Sequence, residues 1–310
     1  IESIDFVTAK GKLVNASKTS HPDLFWAARG GGVGMFAVAT RFHVKLFPMP
    51  KAIKASSYFY SLDRLKEVVE EVTTLAKKMP ELVELSIFLL AAPPDLAKQC
   101  QSSNGWVAMV AATAFGDTDA ESSAALAILD SGAMVSHALS KSVSQPSNFE
   151  ALFDASGGSW PENVRAKVEN VSYKAPPTEL FMAVKDQITQ APSKKSVIVF
   201  IIGTGTKGLF PAAPDMAFSM SGNGYGGVWT MWDDSTDDAA NLSWHNKTFD
   251  CLKQYVSQYY IGETEIVDHT AHAKGAYTKD KWQRLQKIRK KYDPDELCCS
   301  WTGGLEPAKG

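Results

Sequence analysis

Residues 21–40 read HPDLFWAARGGGVGMFAVAT, and this stretch sets the expectation for the fold. Pro22 suits the first turn of a helix, because the N–H that proline lacks would have no intrahelical partner there. The glycines at 30–32 permit backbone conformations that a side chain would forbid, or a close approach by another group. Val and Phe residues between 35 and 46 favour a strand. The stretch therefore predicts a short helix, a glycine turn and a strand, although three glycines alone require no more than a tight turn.

A hairpin is predicted immediately before this helix. Two runs with strand character, Ile4–Ala9 and Lys12–Ala16, flank the dipeptide Lys10-Gly11. A glycine-containing pair between two such runs is typical of antiparallel strands joined by a tight turn. Pro48 and Pro50 then end this first group of elements and mark a domain boundary.

The rest of the chain alternates helical and strand patterns. Residues 62–79 carry apolar side chains at helical spacing, with charged residues opposite. The other predicted helices span 117–129, 178–190, 236–258 and 279–292, and the predicted strands span 51–60, 82–90, 106–115, 133–139, 196–203 and 228–233. Residues 145–174 are predicted to be irregular, and 222–227 to form a flexible turn. This order is typical of an α+β fold, in which helices pack on one face of an antiparallel sheet.

Composition excludes several classes of partner. The chain of 310 residues has 32 Lys and Arg against 34 Asp and Glu, for a net charge of −2. Such a balance gives no electrostatic basis for binding nucleic acid or an anionic membrane. No apolar run reaches the ~20 residues of a membrane-spanning helix. We expect neither a nucleic-acid nor a membrane partner.

Cysteines and glycosylation sequons bear on metal binding and on compartment. Four cysteines, at 100, 251, 298 and 299, lack the spacing of a metal site, and we interpret them as thiols in preference to disulfides. Four N-x-[ST] sequons begin at Asn15, Asn170, Asn241 and Asn246. Because four exceed the number expected by chance, the sequence predicts a glycoprotein that is secreted or passes through the secretory pathway.

Two stretches carry a family resemblance. DLFWAARGGGVGMFAVATRFHVKLFPMP, residues 23–50, resembles DLFWALRGGGGGNFGVVTSFTFRLHP of FAD-linked oxidases in the berberine-bridge-enzyme-like group, within the vanillyl-alcohol-oxidase or PCMH-type superfamily. Near the C-terminus, DKWQRLQKIRKKYDPDELCCSW, residues 280–301, is similar to the family's ENYERLRRVKKKYDPDNLF. The resemblance implies that residues 1–48 are the second part of a PCMH-type FAD-binding domain. It further implies that 49–258 form a substrate-binding domain with a large antiparallel sheet covered by helices, and that 259–310 return to the FAD domain.

The resemblance also implies a function, with alternatives. It points to an FAD-dependent oxidoreductase acting on a small organic substrate, such as a specialised metabolite or a sugar, in which FAD takes a hydride and a side chain takes a proton. The family's first FAD subdomain has no counterpart in these residues, so a longer polypeptide or a second chain is expected to carry it. One alternative is a non-redox isomerase or cyclase that uses acid–base residues on the same fold. Another is a non-catalytic partner chain that completes a second subunit.

Candidate site residues follow from the same match. The tail segment supplies two catalytic candidates, Tyr260 and Glu263. The cofactor-binding candidates are Arg29, Gly30, Gly31, Gly32, Met35 and Phe36, and the substrate-binding candidates are Tyr58, Trp229, Met231 and Asp233. Each also has a purely structural interpretation: an aromatic at a helix end for Tyr260, a solvated charge for Glu263, a salt bridge for Arg29 and core packing for Trp229.

Several departures from the family pattern concern the chemistry. Met35 and Ala37 stand where the family has Asn and Gly, Gly262 stands where it has Asn, and Lys281 and Trp282 stand where it has Asn and Tyr. Each of these asparagines would bring an amide that could contact the cofactor or order the site. Their loss favours altered or absent redox chemistry and keeps the isomerase alternative open.

Overall fold

The computed structural model describes residues 1–130, 133–205, 209–210, 215–266 and 271–298. Their contacts divide into two compact units. The first contains the described residues of Ile1–Pro48, Pro211–Ser221 and Gln258–Gly310, and the second those of Met49–Phe210 and Gly222–Ser257. Residues 215–221, predicted to lie in the substrate domain, pack with the first unit instead. The cofactor and substrate roles of the two units stay predictions.

The first unit is built on a three-stranded antiparallel sheet. Its strands are β1 (Ser3–Thr8), β2 (Leu13–Ser17) and β3 (Ala37–His43), in the order β2-β1-β3. The predicted hairpin is confirmed, since Gly11 takes a φ of +70° in the turn between β1 and β2. Three helices complete the unit: α1 (Pro22–Ala28), α8 (Ala271–Gly275) and α9 (Lys279–Tyr292).

The two stretches that carry the resemblance meet in this unit. Asp23 in the first turn of α1 accepts hydrogen bonds from Lys291 Nζ at 2.5 Å and from the Tyr292 hydroxyl at 2.8 Å. Burial alone would raise the pKa of Asp23, but these bonds outweigh it and hold that pKa below its usual value. Behind this contact, Leu24, Phe25 and Leu285 share one buried core.

The second unit holds an eight-stranded antiparallel sheet in the order β11-β8-β10-β9-β5-β6-β4-β7. The strands are β4 (Ala52–Ser61), β5 (Val83–Ala91), β6 (Trp106–Gly116), β7 (Ser140–Ser147), β8 (Arg165–Tyr173), β9 (Val197–Ile202), β10 (Gly224–Trp232) and β11 (Val256–Tyr259), at which the chain returns to the first unit. The helices are α2 (Leu65–Ala76), α3 (Asp119–Ala127), α4 (Ala133–Ser136), α5 (Phe149–Ser159), α6 (Pro177–Thr189) and α7 (Asp238–Leu252). A large antiparallel sheet with helices confirms the predicted α+β class.

The two faces of the sheet differ in what covers them. Phe200 on β9 packs against Phe181 of α6 with ring centroids 5.1 Å apart, and Thr230 on β10 lies 2.7 Å from Nδ1 of His245 on α7. These side chains define the helix-covered face. Side chains alternate along a strand, so Met109, Phe88, Val199 and Gly227, which are successive cross-strand partners, belong to the opposite face. We call this opposite side the open face.

Several local predictions were wrong, each for a physical reason. Residues 133–136 form a helical turn rather than a strand, and the strand next to β4 comes later, as β7. β7 contains Pro146, which an edge strand tolerates because proline donates no hydrogen bond to a sheet. The long helix expected over 236–258 stops at Leu252, and Val256 begins a strand instead.

The segment 145–174, predicted to be irregular, contains both α5 and the whole of β8. At β10, a glycine made the prediction wrong. Gly224, expected in a flexible turn, begins β10. A Cβ there would lie 2.1 Å from the hydroxyl of Tyr173. The glycine therefore permits close strand packing. From the local sequence alone, such a glycine cannot be told from a glycine in a turn.

Candidate functional site

The glycine turn of the first unit is the first part of the candidate site. α1 ends at Arg29, and the chain reverses through Gly30 with a φ of +125° and Gly32 with a φ of +62°. A short 3-10 turn, Gly32–Gly34, follows, and Met35 is extended again before β3. Two of the three consecutive glycines thus adopt backbone angles that other residues rarely take.

Other segments of the chain occupy the space that the missing side chains leave. A Cβ on Gly30 would lie 2.1 Å from the backbone nitrogen of Phe218, and one on Gly32 would lie 2.6 Å from Cγ2 of Ile261. A Cβ on Gly31 would lie 2.7 Å from the carbonyl oxygen of Ala27. The glycines therefore serve the packing of the unit itself.

Two polar side chains fix the turn from the C-terminal segment. The Tyr277 hydroxyl lies 2.9 Å from the carbonyl oxygen of Gly30 and 3.3 Å from that of Gly31, and burial raises the pKa of Tyr277. Lys281 donates from Nζ to the carbonyl of Phe218 at 2.6 Å, and burial lowers the pKa of Lys281. Tyr277 thus bonds the backbone of the turn itself, and Lys281 holds the Phe218 segment that packs against Gly30.

Arg29 is engaged within the unit. Its guanidinium pairs with the Asp215 carboxylate at 2.9 Å, donates to the Asp215 carbonyl, and lies 4.3 Å from the centroid of the Phe25 ring. The Arg29 hydrogen bond holds the pKa of Asp215 below its usual value. The salt bridge foreseen as the structural role of Arg29 is present, and contact with a cofactor stays a prediction.

The structure brings the two catalytic candidates to the glycine turn. Ile261, whose side chain abuts Gly32, lies between Tyr260 and Glu263, and the Tyr260 ring is 6.4 Å from that of Phe218. The carbonyl of Tyr260 accepts the backbone N–H of Glu263 at 2.9 Å. Residues far apart in sequence thus meet, although their catalytic role stays a prediction.

Met35 and Phe36, the other two cofactor candidates, face the protein interior. Phe36 is a core residue, 3% exposed, and Met35 packs partly buried against the same core. The Met35 sulfur would lie 2.9 Å from a Cβ on Gly31. A contact between a cofactor and Phe36 would therefore have to involve its backbone.

The four substrate candidates lie in the second unit, in different environments. Trp229 is on the open face and half-buried against Trp160, with ring centroids 4.2 Å apart. Met231 shares that face but is only 3% exposed. Asp233 is exposed and pairs with Lys195 at 2.6 Å.

Tyr58 lies on the helix-covered face. It is cross-strand partner to Val110, whose row continues to Phe200 beneath the helices. Its hydroxyl donates to Asp130, and burial raises its pKa. This fully buried position explains Tyr58 as a structural residue. Of the four candidates, Trp229 has the position best suited to contact a ligand.

Sequence reasoning did not identify the residues that support these candidates. Tyr277 bonds the glycine turn, and Asp215 bonds Arg29 beside it, from segments far away in sequence that no local pattern marks. Lys281 was noted only as the position of a lost family Asn, and its bond to Phe218 was not foreseen. Trp160 lies in the segment predicted to be irregular.

The glycine turn fits FAD only in part. Gly30 and Gly31 are closed by Phe218, Ala27 and Tyr277, so they offer no cradle for a cofactor. Gly32 and Val33 are exposed, with Val33 66% exposed, although the carbonyl of Gly32 already accepts the Met35 N–H at 3.3 Å. A cofactor contact through the backbone of these two residues is compatible with the structure.

The chain is similar in sequence to FAD-linked oxidoreductases. It is 23% identical over 298 residues to the FAD-linked oxidoreductase nodO of Hypoxylon pulicicidum, a match that covers 95% of this chain and 62% of that protein. No family model matches the chain. The predicted resemblance is confirmed, and the chain spans under two thirds of the length of this relative.

Solved structures show the same fold. Wild-type BBE-like 1 of Physcomitrella patens matches with a TM-score of 0.72 at 14% identity, covering 95% of this chain and 63% of that one. The 6-hydroxy-D-nicotine oxidase of Arthrobacter nicotinovorans matches with a TM-score of 0.73 at 16% identity, covering 95% and 64%. The predicted fold is therefore confirmed over nearly the whole chain, including the long stretch between the two sequence motifs.

Proposed function

We propose that the chain is part of an FAD-dependent oxidoreductase that acts on a small organic substrate of specialised metabolism. The observation that carries this proposal is the extent of the similarity. Relatives named FAD-linked oxidoreductases match along 95% of the chain, not only at the glycine turn. The meeting of the glycine turn with the segment of Tyr260 and Glu263 supports the same function.

The first unit would hold the cofactor through the exposed backbone of Gly32 and Val33. FAD, when bound, supplies the acceptor for the hydride that leaves the substrate. The tasks of this chain are then to orient the substrate and to accept its proton. We assign the acceptance of this proton to Glu263 and Tyr260, since their segment adjoins the glycine turn through Ile261.

The second unit would bind the substrate on the open face of its sheet. Phe88, Met109 and Trp229 give that face an apolar and aromatic character, whereas Phe59 packs against the buried cluster of Leu96, Cys100 and Val107. Small-molecule sites in proteins are commonly lined in this way, with a few polar groups to fix orientation. The helix-covered face has no such role, because its side chains are packed beneath α6 and α7.

Flavin content is the decisive measurement. The chain is purified in a polypeptide, or with a second chain, that completes the length of its relatives, and its absorbance spectrum is recorded. We expect flavin bands and about one FAD per chain, as a resident redox cofactor requires. A colourless protein that still converts substrate would replace this function with the isomerase or cyclase. A colourless, inactive protein that binds another subunit would instead establish the non-catalytic alternative.

An exposed apolar edge supports the need for such a completing part. On β3, an edge strand of the first sheet, Val38 is 62% and Phe42 57% exposed, and Leu46 beyond it is 81% exposed. Exposed apolar side chains along an unpaired strand edge are typical of interaction sites. We assign it to contact with further flavoprotein fold outside residues 1–310, on the same polypeptide or on a second chain.

Secretory passage is also proposed, with a narrower set of glycan sites than the four sequons suggest. Asn170 and Asn241 are each 1% exposed, so a glycan on either would prevent this fold. Asn15 on β2 and Asn246 on α7 are exposed. In a eukaryotic secretory host, we expect enzymatic deglycosylation to remove up to two glycans. Secreted, folded protein with a glycan on Asn170 or Asn241 would refute this assignment.

A further inference from the structure

Helix α5 crosses the open face of the large sheet. It follows β7, at one edge of the sheet, and precedes β8, near the other edge. At its start, Phe149 stacks on Phe115 of β6, with ring centroids 6.1 Å apart. Just after its end, Trp160 packs on Trp229 of β10, with ring centroids 4.2 Å apart and ring planes tilted by 38°.

Both aromatic partners in the sheet point to the same side. Phe115 lies six residues after Met109, and Trp229 two residues after Gly227. Met109 and Gly227 belong to one cross-strand row on the open face. Because side chains alternate, Phe115 and Trp229 share that face. The helix between them therefore passes over β5 and β9, which lie between β6 and β10.

The path of α5 is oblique. Because β6 and β10 run in opposite directions, Phe115 and Trp229 are separated by eight residues along the strands, roughly 26 Å, as well as by three strand spacings, roughly 14 Å. The 11 residues of α5 form a helix of roughly 17 Å, and the aromatic side chains at its two ends cover the remainder of the span.

The helix is not packed tightly into the core. Phe153, near its middle, is 78% exposed, and Phe149 is 48% exposed despite its stacked partner. A helix that exposes its large apolar side chains gains little from burial. The aromatic pairs at its ends are then its main attachment to the sheet, and each such pair is worth about 0.5–1.5 kcal/mol beyond its buried area.

We propose that α5 is a lid over the substrate surface, and that Trp160 is its latch and a specificity-determining residue. This inference rests on the proposed role of the open face. A flat apolar ring system of the substrate replaces the Trp160 indole on Trp229, and the lid opens at the C-terminal end of α5. Flat, apolar substrates are favoured because they reproduce the stacking that they displace.

Equilibrium binding of 2-naphthol, a flat apolar probe with one hydroxyl, tests the proposal. Trp160 competes with the probe for Trp229, so Trp160→Ala is expected to tighten binding by roughly twofold to tenfold, the range that an aromatic pair is worth. Trp160→Phe restores part of the competition. Phe153→Ala is the matched control, since this exposed aromatic on the same helix has no stacking partner among the described residues, and it leaves binding unchanged.

A spectroscopic signature accompanies the binding measurement. Two indoles this close, with tilted ring planes, give an exciton-coupled circular-dichroism signal. We expect Trp160→Ala and saturating 2-naphthol each to remove it, and Phe153→Ala to retain it. Persistence of the signal in the saturated protein would overturn the latch.

The outcomes separate this inference from the proposed function. If Trp229→Ala leaves 2-naphthol binding unchanged, the open face is not the substrate surface, and both proposals for that face fail. If Trp229→Ala weakens binding but Trp160→Ala does not tighten it, the substrate surface stands and the latch is wrong. Equal affinity for decahydro-2-naphthol, which has the same carbon skeleton without flat rings, would contradict the assigned substrate class.

Discussion

Replacing Gly30 with alanine is expected to disrupt the junction between the glycine turn and residues 215–221. Its φ of +125° lies outside the region that an L-residue adopts readily. The new Cβ would also lie 2.1 Å from the backbone nitrogen of Phe218 and 2.8 Å from the carbonyl carbon of Ala217. Since backbone atoms have no alternative rotamer, the segment itself must move.

The magnitude combines two effects. The unfavourable backbone conformation costs about 1–2 kcal/mol, and forced overpacking costs about 1–3 kcal/mol. Movement of the segment also weakens the bond of 2.9 Å from the Phe218 N–H to the Arg29 carbonyl. We therefore expect a loss of about 2–5 kcal/mol, a large share of the roughly 5–15 kcal/mol that stabilises a typical domain.

Gly11→Ala is the matched control. Gly11 has a φ of +70°, but a Cβ there would have no atom within 4 Å. The Gly11→Ala variant therefore loses only the free energy of the unfavourable backbone conformation, about 1–2 kcal/mol. Hydrogen exchange of the full chain in increasing urea, followed at the amides of α1 and β1, measures the local stability of the first unit. Equal losses in the two variants would show that Gly30 serves only the turn, and the packing explanation would be refuted.

Three further predictions concern single contacts. Asp23 has a pKa below its unfolded value, so the stability that its carboxylate contributes is present above pH ~4 and is lost as pH falls through the folded pKa. Asp23→Asn should therefore reduce the fall of the unfolding free energy at acidic pH. An unchanged dependence on acidic pH would contradict the link to Lys291. Tyr58→Phe removes a buried hydrogen bond to Asp130 and should cost about 1–3 kcal/mol in urea unfolding, while an altered affinity for 2-naphthol would return Tyr58 to the substrate site. Thr118, whose hydroxyl accepts the Glu121 N–H at 3.1 Å, caps α3; Thr118→Ala should cost about 1 kcal/mol and Thr118→Asn almost nothing, and equal losses would exclude the cap.

Periodicity predicted the elements that depend on one buried face. The helix expected over 279–292 has those bounds in α9, because Leu285 and Ile288 repeat at helical spacing against a polar face. The strands at 51–60 and 106–115 were found within one residue at each end, as β4 and β6. Predicting these elements requires only that one face packs against a core, without knowing which residues form that core.

The wrong predictions concern residues whose structure depends on contacts with distant parts of the chain. Gly224 looks like a turn residue, but it is a strand residue under Tyr173. α5 has apolar residues at Phe149 and Phe153 without a continuous buried stripe, because it crosses a sheet face without packing into it. The contacts around the glycine turn come from Tyr277 to its carbonyls, from Asp215 to Arg29 and from Lys281 to Phe218. Long-range partners of this kind leave no local signal.

The same contacts limit what the glycine motif can say about chemistry. Gly30 and Gly32 are explained by Phe218 and Ile261, so a chain that never binds flavin would still need them in order to fold. Met35, at a position where the family pattern has Asn, packs against the unit's core and has no side-chain amide to offer a cofactor. The motif is therefore strong support for the fold and weak support for redox activity. The amount of FAD bound by the purified protein, and not the glycine pattern, is the observation that separates an oxidoreductase from an isomerase on this fold.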